Sequence, residues 1–143
     1  MIAIGNDHAG YELKLEVIKF LESKGYEVKD FGCDSTKSVD YPDYAHAVAH
    51  AVADGEAEKG ILICGTGIGV SISANKVKGI RAALCHDVFS AEATRQHNDA
   101  NVLTMGARVI GGGLALKIVE TFVETPFSND ERHIRRISKI EED

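Results

Sequence analysis

The stretch from residue 60 to residue 75 constrains the fold of this chain more than any other. It holds an apolar run at 61–63, then three glycines in the six positions 64–69, then apolar residues at helical spacing. Such a run is typical of a strand buried on both faces of a parallel sheet. A strand, a glycine turn and a helix in that order direct free backbone N–H groups and the positive end of a helix dipole at an anion. The stretch therefore predicts a parallel α/β sheet with an anion-binding turn at one strand end.

Cys64 directly precedes the glycines of this turn, at the carboxyl end of the predicted strand. A helix N-terminus favours the thiolate form of a nearby cysteine, so Cys64 is a candidate base or nucleophile. Two alternatives stay open, because a lone cysteine is often a small buried hydrophobic residue and a glycine turn can be only a tight connection. The glycines are spaced two and two, unlike the dinucleotide motif G-x-G-x-x-G, and no Gly-Lys-Ser/Thr follows as in a P-loop. Our working hypothesis is a catalytic pocket for a small anionic substrate.

Composition limits the classes of protein to which the chain can belong. With 143 residues, 44% of them hydrophobic and 27% charged, we expect one domain, residues 1–143, around a single core. The net charge of −6 argues against nucleic acid as the main partner. No apolar run approaches the ~20 residues of a membrane span, and the N-terminus does not resemble a signal peptide. The widely spaced Cys33, Cys64 and Cys85 favour reduced thiols in a cytoplasmic protein.

Strands and helices alternate through most of the chain, which predicts a doubly wound parallel sheet. We expect five strands in the flavodoxin-like order 2-1-3-4-5, with helices on both faces and an extra C-terminal helix. In that order the loops after strands one and three border the same crevice. The predicted strands are residues 2–5, 26–31, 61–63, 80–84 and 101–105, and the predicted helices are residues 11–24, 44–54, 68–75, 88–97, 113–124 and 130–140.

The expected crevice brings Asp7 and His8 to Cys64, although almost 60 residues separate them in sequence. A helix-capping Asp7 with His8 on the surface is the alternative. His97 ends a predicted helix, where the dipole alone would favour it, and it could also serve as an acid or base near neutral pH. Arg108 follows the fifth strand and is either a site residue or a surface charge.

Two pairs in the sequence stand one helical turn apart. Arg132 and Arg136 share a face of the last helix, which is typical of a solvated surface but also suits phosphate, since guanidinium groups bind it well. His46 and His50 have the spacing of a zinc helix. They lack the glutamate of H-E-x-x-H and any evident third ligand, so we expect no metal site.

Several motifs together resemble the ribose/galactose isomerase family, and within it the type B ribose-5-phosphate isomerases. In order and spacing they cover almost the whole chain: residues 6–10 (NDHAG), 40–42 (DYP), 60–69 (GILICGTGIG), 79–83 (GIRAA), 95–101 (RQHNDAN) and 132–133 (RH).

The resemblance implies roles for individual residues. Cys64 matches the family's proton acceptor at C2 of the sugar, and His97 matches its proton donor, tied to ring opening. The turn 65–69 matches the anion hole for the enediolate, with a contribution from Thr66. The implied catalytic group is Cys64, His97, Thr66 and Asp7, and the implied substrate contacts are Asp7, His8, Tyr41, Gly65, Thr66, Gly67, Ile68, Gly69, Asn98, Arg108, Arg132 and Arg136. Arg135 matches no position of known role.

The resemblance also implies an activity, the interconversion of ribose 5-phosphate and ribulose 5-phosphate in the pentose phosphate pathway. Proton transfer through an enediolate needs a base, an acid and an oxyanion stabiliser, so no cofactor and no metal are expected. The family works as a homodimer or a larger assembly such as a homotetramer, with sites shared between subunits. Two alternatives stay open: isomerisation of a six-carbon sugar phosphate such as allose or galactose 6-phosphate, and a non-catalytic phosphate-binding sensor.

Overall fold

Five parallel strands form one sheet in the order β2-β1-β3-β5-β4 in the computed structural model, which describes residues 1–143. The central strands are buried along their length because their sequences are almost entirely apolar or glycine. The strands are β1 (Ile2–Asn6), β2 (Val28–Asp30), β3 (Lys59–Cys64), β4 (Ala82–Leu84) and β5 (Val102–Gly106). The helices are α1 (Tyr11–Ser23), α2 (Tyr41–Ala53), α3 (Ile68–Ala74), α4 (Val88–Asn98), α5 (Gly112–Glu124) and α6 (Glu131–Glu141).

The predicted parallel α/β sheet is confirmed, but the predicted strand order 2-1-3-4-5 is wrong at its end. All five residues of β5 are buried, whereas β4 has three residues that are only partly covered. A strand buried on both faces belongs inside the sheet, so β5 lies beside β3 and β4 takes the edge. Asn101 secures this arrangement, because its carbonyl accepts the Gly60 N–H while its side chain bonds the N–H of Arg81 and the carbonyl of Gly79.

The exchange of β4 and β5 moves one helix to the other face of the sheet. Parallel crossovers are right-handed, so a connection that returns from β4 to β5 passes over the opposite face from one that advances from β3 to β4. One core accordingly joins α1, α4 and α5 to the sheet, and a second core joins α2 and α3 to it. Helix α6 packs against α4. None of the six helices has both the length and the apolar character needed to cross a bilayer.

The loops after the first and third strands are neighbours, as predicted. Asn6 pairs with Ile63, and the Asp7 N–H donates to the Ile63 carbonyl at 3.2 Å. Strand β5 ends at the same edge, since Gly106 pairs with Cys64. The residues that follow β1, β3 and β5 therefore meet where the strands have their carboxyl ends. We call this side of the sheet the carboxyl edge, and the side where the strands begin the amino edge.

A buried polar network holds the segment 31–40, which lies beside His8 at the carboxyl edge and leads into Tyr41. The Lys14 ammonium is only 2% exposed; it bonds the Cys33 carbonyl and lies 3.0 Å from Asp30 Oδ2. Asn6 Nδ2 donates to the Asp7 carbonyl at 2.8 Å and to Cys33 Sγ at 3.2 Å. The network thus ties the segment to β1 and α1.

The one buried oxygen of the network without a hydrogen-bond partner, Asn6 Oδ1, explains the glycine at position 32. A Cβ at Gly32 would overlap this oxygen, so only a glycine Cα–H can face it.

We expect Gly32→Ala to destabilise the fold by about 1–3 kcal/mol, since the new methyl group must displace the buried Asn6 amide. Gly113→Ala is the matched control, because a Cβ at Gly113 meets no atom within 4 Å. This control substitution lies in α5 and should be neutral or raise stability by up to ~1 kcal/mol. Urea unfolding of both variants measures the difference. Equal stabilities would contradict the proposed overlap with Asn6.

Candidate active site

The turn between β3 and α3 is shaped by two glycines that approach neighbouring backbone closely. Gly67 has φ +78°, a left-handed conformation, and a Cβ there would lie 2.7 Å from the Met105 backbone. A Cβ on Gly106 would lie 2.6 Å from the Thr66 backbone. The turn therefore packs directly against the end of β5, so closely that neither glycine can carry a side chain larger than hydrogen.

Cys64 directs its sulfur into this turn. The Gly67 N–H donates to Cys64 Sγ at 3.1 Å, and the Ile68 N–H donates to Thr66 Oγ1 at 3.2 Å. Cys64 is 5% exposed, whereas Thr66 at the tip of the turn is open to solvent. The Cys64 thiol therefore lies within hydrogen-bond distance of the backbone at the start of α3, as the glycine pattern predicted.

The other two cysteines are held in structural positions. Cys33 Sγ donates to the Ser35 carbonyl at 3.3 Å and accepts from Asn6. Burial, with a smaller contribution from Asp87, raises the pKa of the Cys85 thiol to about 11, so it stays protonated at neutral pH. Neither thiol borders the turn, which leaves Cys64 as the candidate base.

Asp7 and His8 lie at this edge, and the capping interpretation of Asp7 is also correct. Asp7 Oδ1 accepts the N–H groups of Ala9 and Gly10, which caps the short 3₁₀ turn His8–Gly10. Its other oxygen accepts no hydrogen bond within the chain. The Val39 N–H donates to His8 Nδ1 at 3.2 Å, so the neutral ring carries its proton on Nε2.

Tyr41 and Arg108 complete the carboxyl-edge group. Tyr41, 41% exposed, lies across Gly69, where a Cβ would come within 2.6 Å of the tyrosine ring. The Arg108 N–H donates to the Gly65 carbonyl at 3.0 Å, and its guanidinium lies against the Gly65 Cα. We call this set the carboxyl-edge group: Asp7, His8, Tyr41, Cys64, Gly65, Thr66, Gly67, Ile68, Gly69 and Arg108.

The remaining predicted residues gather elsewhere, around a cavity of about 360 Å³ between α4 and α6. His97 is exposed there, and its ring lies 4.6 Å from the His133 ring, centroid to centroid. Arg136 forms no ion pair within the chain, and Arg132 makes only a 3.8 Å contact with Asp130. We call this set the amino-edge group: His97, Asn98, Arg132, His133 and Arg136.

The two groups lie at opposite edges of the sheet. Arg81, directly before β4, donates its Nε–H to the Asn98 carbonyl at 2.9 Å, which places the end of α4 at the amino edge. Strand β3 advances five residues from Lys59 to Cys64, so the edges are roughly 16 Å apart. One protomer therefore does not bring His97 or the two arginines of α6 to Cys64.

The sequence alone indicated no role for His133, which is buried although its neighbours on α6 are exposed. Ser128 Oγ accepts the Asp130 N–H and forms a 2.7 Å hydrogen bond with His133 Nδ1. Burial, followed by the charge of Arg132, lowers the pKa of His133. The ring beside His97 is therefore neutral at pH 7. The only signal in the sequence was the histidine in the RH motif.

No three histidine, cysteine or acidic side chains converge to hold a metal ion. His46 and His50 both point to solvent from α2. A cavity of about 800 Å³ between residues 75–82 and the C-terminal residues 140–143 contains none of the predicted site residues.

Comparison with known proteins matches residues 2–140 to the ribose/galactose isomerase family. The chain is 50% identical over 139 residues to ribose-5-phosphate isomerase B of Escherichia coli, covering 97% of this chain and 93% of the relative. It is 49% identical over 127 residues to D-erythrulose-4-phosphate isomerase of Pectobacterium atrosepticum, covering 88% and 84%. The solved structure of Clostridium thermocellum ribose-5-phosphate isomerase B superposes with a TM-score of 0.97 at 54% identity, covering 99% of this chain and 95% of that one. Together with the fold and the thiol on a glycine turn, these similarities show that the chain belongs to the ribose/galactose isomerase family.

Proposed function

We propose that this protein interconverts ribose 5-phosphate and ribulose 5-phosphate by proton transfer between C1 and C2, with Cys64 as the base. The observation that carries the proposal is the position of the Cys64 sulfur, which accepts the Gly67 N–H at the start of α3 in a chain of the isomerase family. Asp7, Tyr41 and Arg108 border the same edge and supply polar contacts for a sugar.

The proton transfer balances without an external oxidant. The Cys64 thiolate takes the proton from C2 of the open-chain aldose, and the electron pair moves to the carbonyl oxygen at C1. Backbone N–H groups of the turn 65–69 and the Thr66 hydroxyl stabilise the enediolate charge. The same thiol then returns the proton to C1 while the proton of the C2 hydroxyl passes to O1, so that the carbonyl forms at C2 and the thiolate is regenerated.

The amino-edge group supplies the remaining functions from a second copy of the chain. His97 donates the proton that opens the furanose ring, while the exposed guanidinium groups of Arg132 and Arg136 bind the phosphate. Phosphate binding at a distance from C1 and C2 orients the reacting carbons at the base. Each site is therefore built by two protomers.

The surface around the turn fits such an assembly. Helix α4 runs from the carboxyl edge at Val88 to the amino edge at Asn98, so an antiparallel two-fold pairing brings the amino-edge group of one copy to the turn of the other, twice. Large apolar side chains are exposed beside the turn and at the start of α4: Ile68, Ile72, Leu84, Val88 and Phe89, the last 78% exposed. Exposed apolar clusters of this kind mark interaction surfaces.

We further propose a cytoplasmic, metal-independent enzyme. Three free cysteines fit a reducing compartment. One relative is a D-erythrulose-4-phosphate isomerase, so the choice of sugar is tested separately from the reaction. An assay panel of four-, five- and six-carbon sugar phosphates in the presence of EDTA compares these substrates, and binding without turnover of any of them would favour the sensor.

Cys64→Ala should reduce kcat by about 10²–10⁴-fold while sugar-phosphate binding persists, because the base is lost but the phosphate contacts remain. Cys85→Ala is the matched control and should keep its turnover, since the Cys85 thiol lies outside the turn. Coupled assays of isomerisation and calorimetric binding measure the two quantities. Normal turnover of Cys64→Ala would reject the base assignment.

Arg136→Gln should raise KM for ribose 5-phosphate by about tenfold to a hundredfold, because a charge-assisted contact to phosphate is removed. Arg135→Gln alters an exposed neighbour on the same helix that does not line the cavity, and its KM should not change. Equal effects of the two substitutions would indicate a general loss of positive charge instead of a phosphate site.

Mixing inactive Cys64→Ala and His97→Asn proteins should restore activity if the site is shared. After subunits exchange at equal concentrations, half of the dimers are mixed and each has one intact site, so about a quarter of the wild-type activity returns. Mass spectrometry of the intact assemblies confirms the exchange. Mixed dimers without activity would show that Cys64 and His97 act within one protomer or not at all.

A further inference from the structure

The N–H of Gly106, the last residue of β5, donates to a histidine side chain. In a regular sheet its partner would be a backbone carbonyl of the neighbouring strand. In the parallel ladder, the Cys85 N–H donates to the Thr104 carbonyl, and the next rung would pair the Gly106 N–H with the backbone of β4. Strand β4 has already ended at Leu84, and the chain turns into α4, whose first turn Asp87 caps through the Ser90 N–H. The Gly106 N–H instead donates to His86 Nε2 at 2.9 Å.

Gly106 is the point where β5 supports the turn. Its Cα lies against the Thr66 backbone, so close that a Cβ would be 2.6 Å away. The two residues after it continue this support, since the Ala107 N–H donates to the Cys64 carbonyl at 2.8 Å and the Arg108 N–H to the Gly65 carbonyl at 3.0 Å. The place of Gly106 therefore determines where the Thr66 turn lies relative to Cys64.

We propose that His86 is a positioning residue for the isomerisation. By accepting the Gly106 N–H, its imidazole fixes the end of β5 and, through it, the N–H groups that stabilise the enediolate. His86 acts through Gly106 and does not itself contact the substrate. This inference rests on the proposed role of the 65–69 turn as the anion hole.

The shape of the side chain provides a direct test. In His86→Gln the amide oxygen reaches about as far as Nε2 and can still accept the Gly106 N–H, whereas His86→Leu keeps bulk but has no acceptor. His86→Leu should lower kcat about tenfold with KM changed less than twofold, because displaced N–H groups stabilise the charge less well. His86→Gln should recover most of the lost kcat.

A pair of inhibitors distinguishes positioning from a general loss of structure. A phosphorylated hydroxamate resembles the planar, anionic enediolate, and a phosphorylated sugar alcohol of the same length resembles only the substrate. His86→Leu should weaken hydroxamate binding by a factor similar to its loss in kcat and leave the sugar alcohol unaffected. Equal weakening of both inhibitors, unchanged kcat in His86→Leu, or no recovery in folded His86→Gln would overturn the proposal.

His86→Asn covers the case in which the leucine variant does not fold. Its shorter amide remains polar but does not reach Gly106, so it should show the same kcat and hydroxamate defects. Wild-type behaviour of this variant would also overturn the proposal. Cys64→Ala, assayed in parallel, separates the two hypotheses: its normal turnover rejects the proposed site, whereas inactive Cys64→Ala beside fully active His86→Leu rejects only the role of His86.

Discussion

The candidate site depends on the close contact between the turn 65–69 and the end of β5. Two glycines, Gly67 and Gly106, allow this contact, because a Cβ on either would enter the other segment's backbone. The contact aligns the start of α3 with Cys64 and also anchors the Ala107–Arg108 backbone to the turn. The proposed catalytic geometry therefore comes from main-chain packing, which leaves side chains such as Arg108 free to meet a ligand.

The course of α4 explains why the functional residues divide into two groups. Because β4 is the outermost strand, α4 returns across the face of the sheet that also carries α1 and α5. It ends at the amino edge, where the strands begin. His97 and Asn98 are carried away from Cys64 and placed beside α6 with its arginines. The separation of the proposed acid from the proposed base in one protomer agrees with the proposed site built from two copies, and the exposed apolar surface around Phe89 is consistent with that arrangement.

The sequence was sufficient for features that depend on local pattern. The strand ending at Cys64, the glycine turn and the helix from Ile68 follow from periodicity and appear as predicted. Helix α2 starts at Tyr41, three residues before the predicted start, because Pro42 suits a first helical turn. Strand order could not be obtained in this way, since it depends on how much of β4 and β5 is covered by other elements. Buried Lys14 and the His86–Gly106 bond were missed because their partners lie 19 and 20 residues away in sequence.

The two edge strands limit how copies of this protein can associate. Both β2 and β4 are only three residues long, so neither offers enough free N–H and carbonyl groups to template a further strand. Growth of the sheet from one molecule into the next is therefore disfavoured at both ends. Copies of the chain can therefore associate only through helix faces and turns, and a two-fold pairing of such surfaces closes on itself instead of extending into fibres.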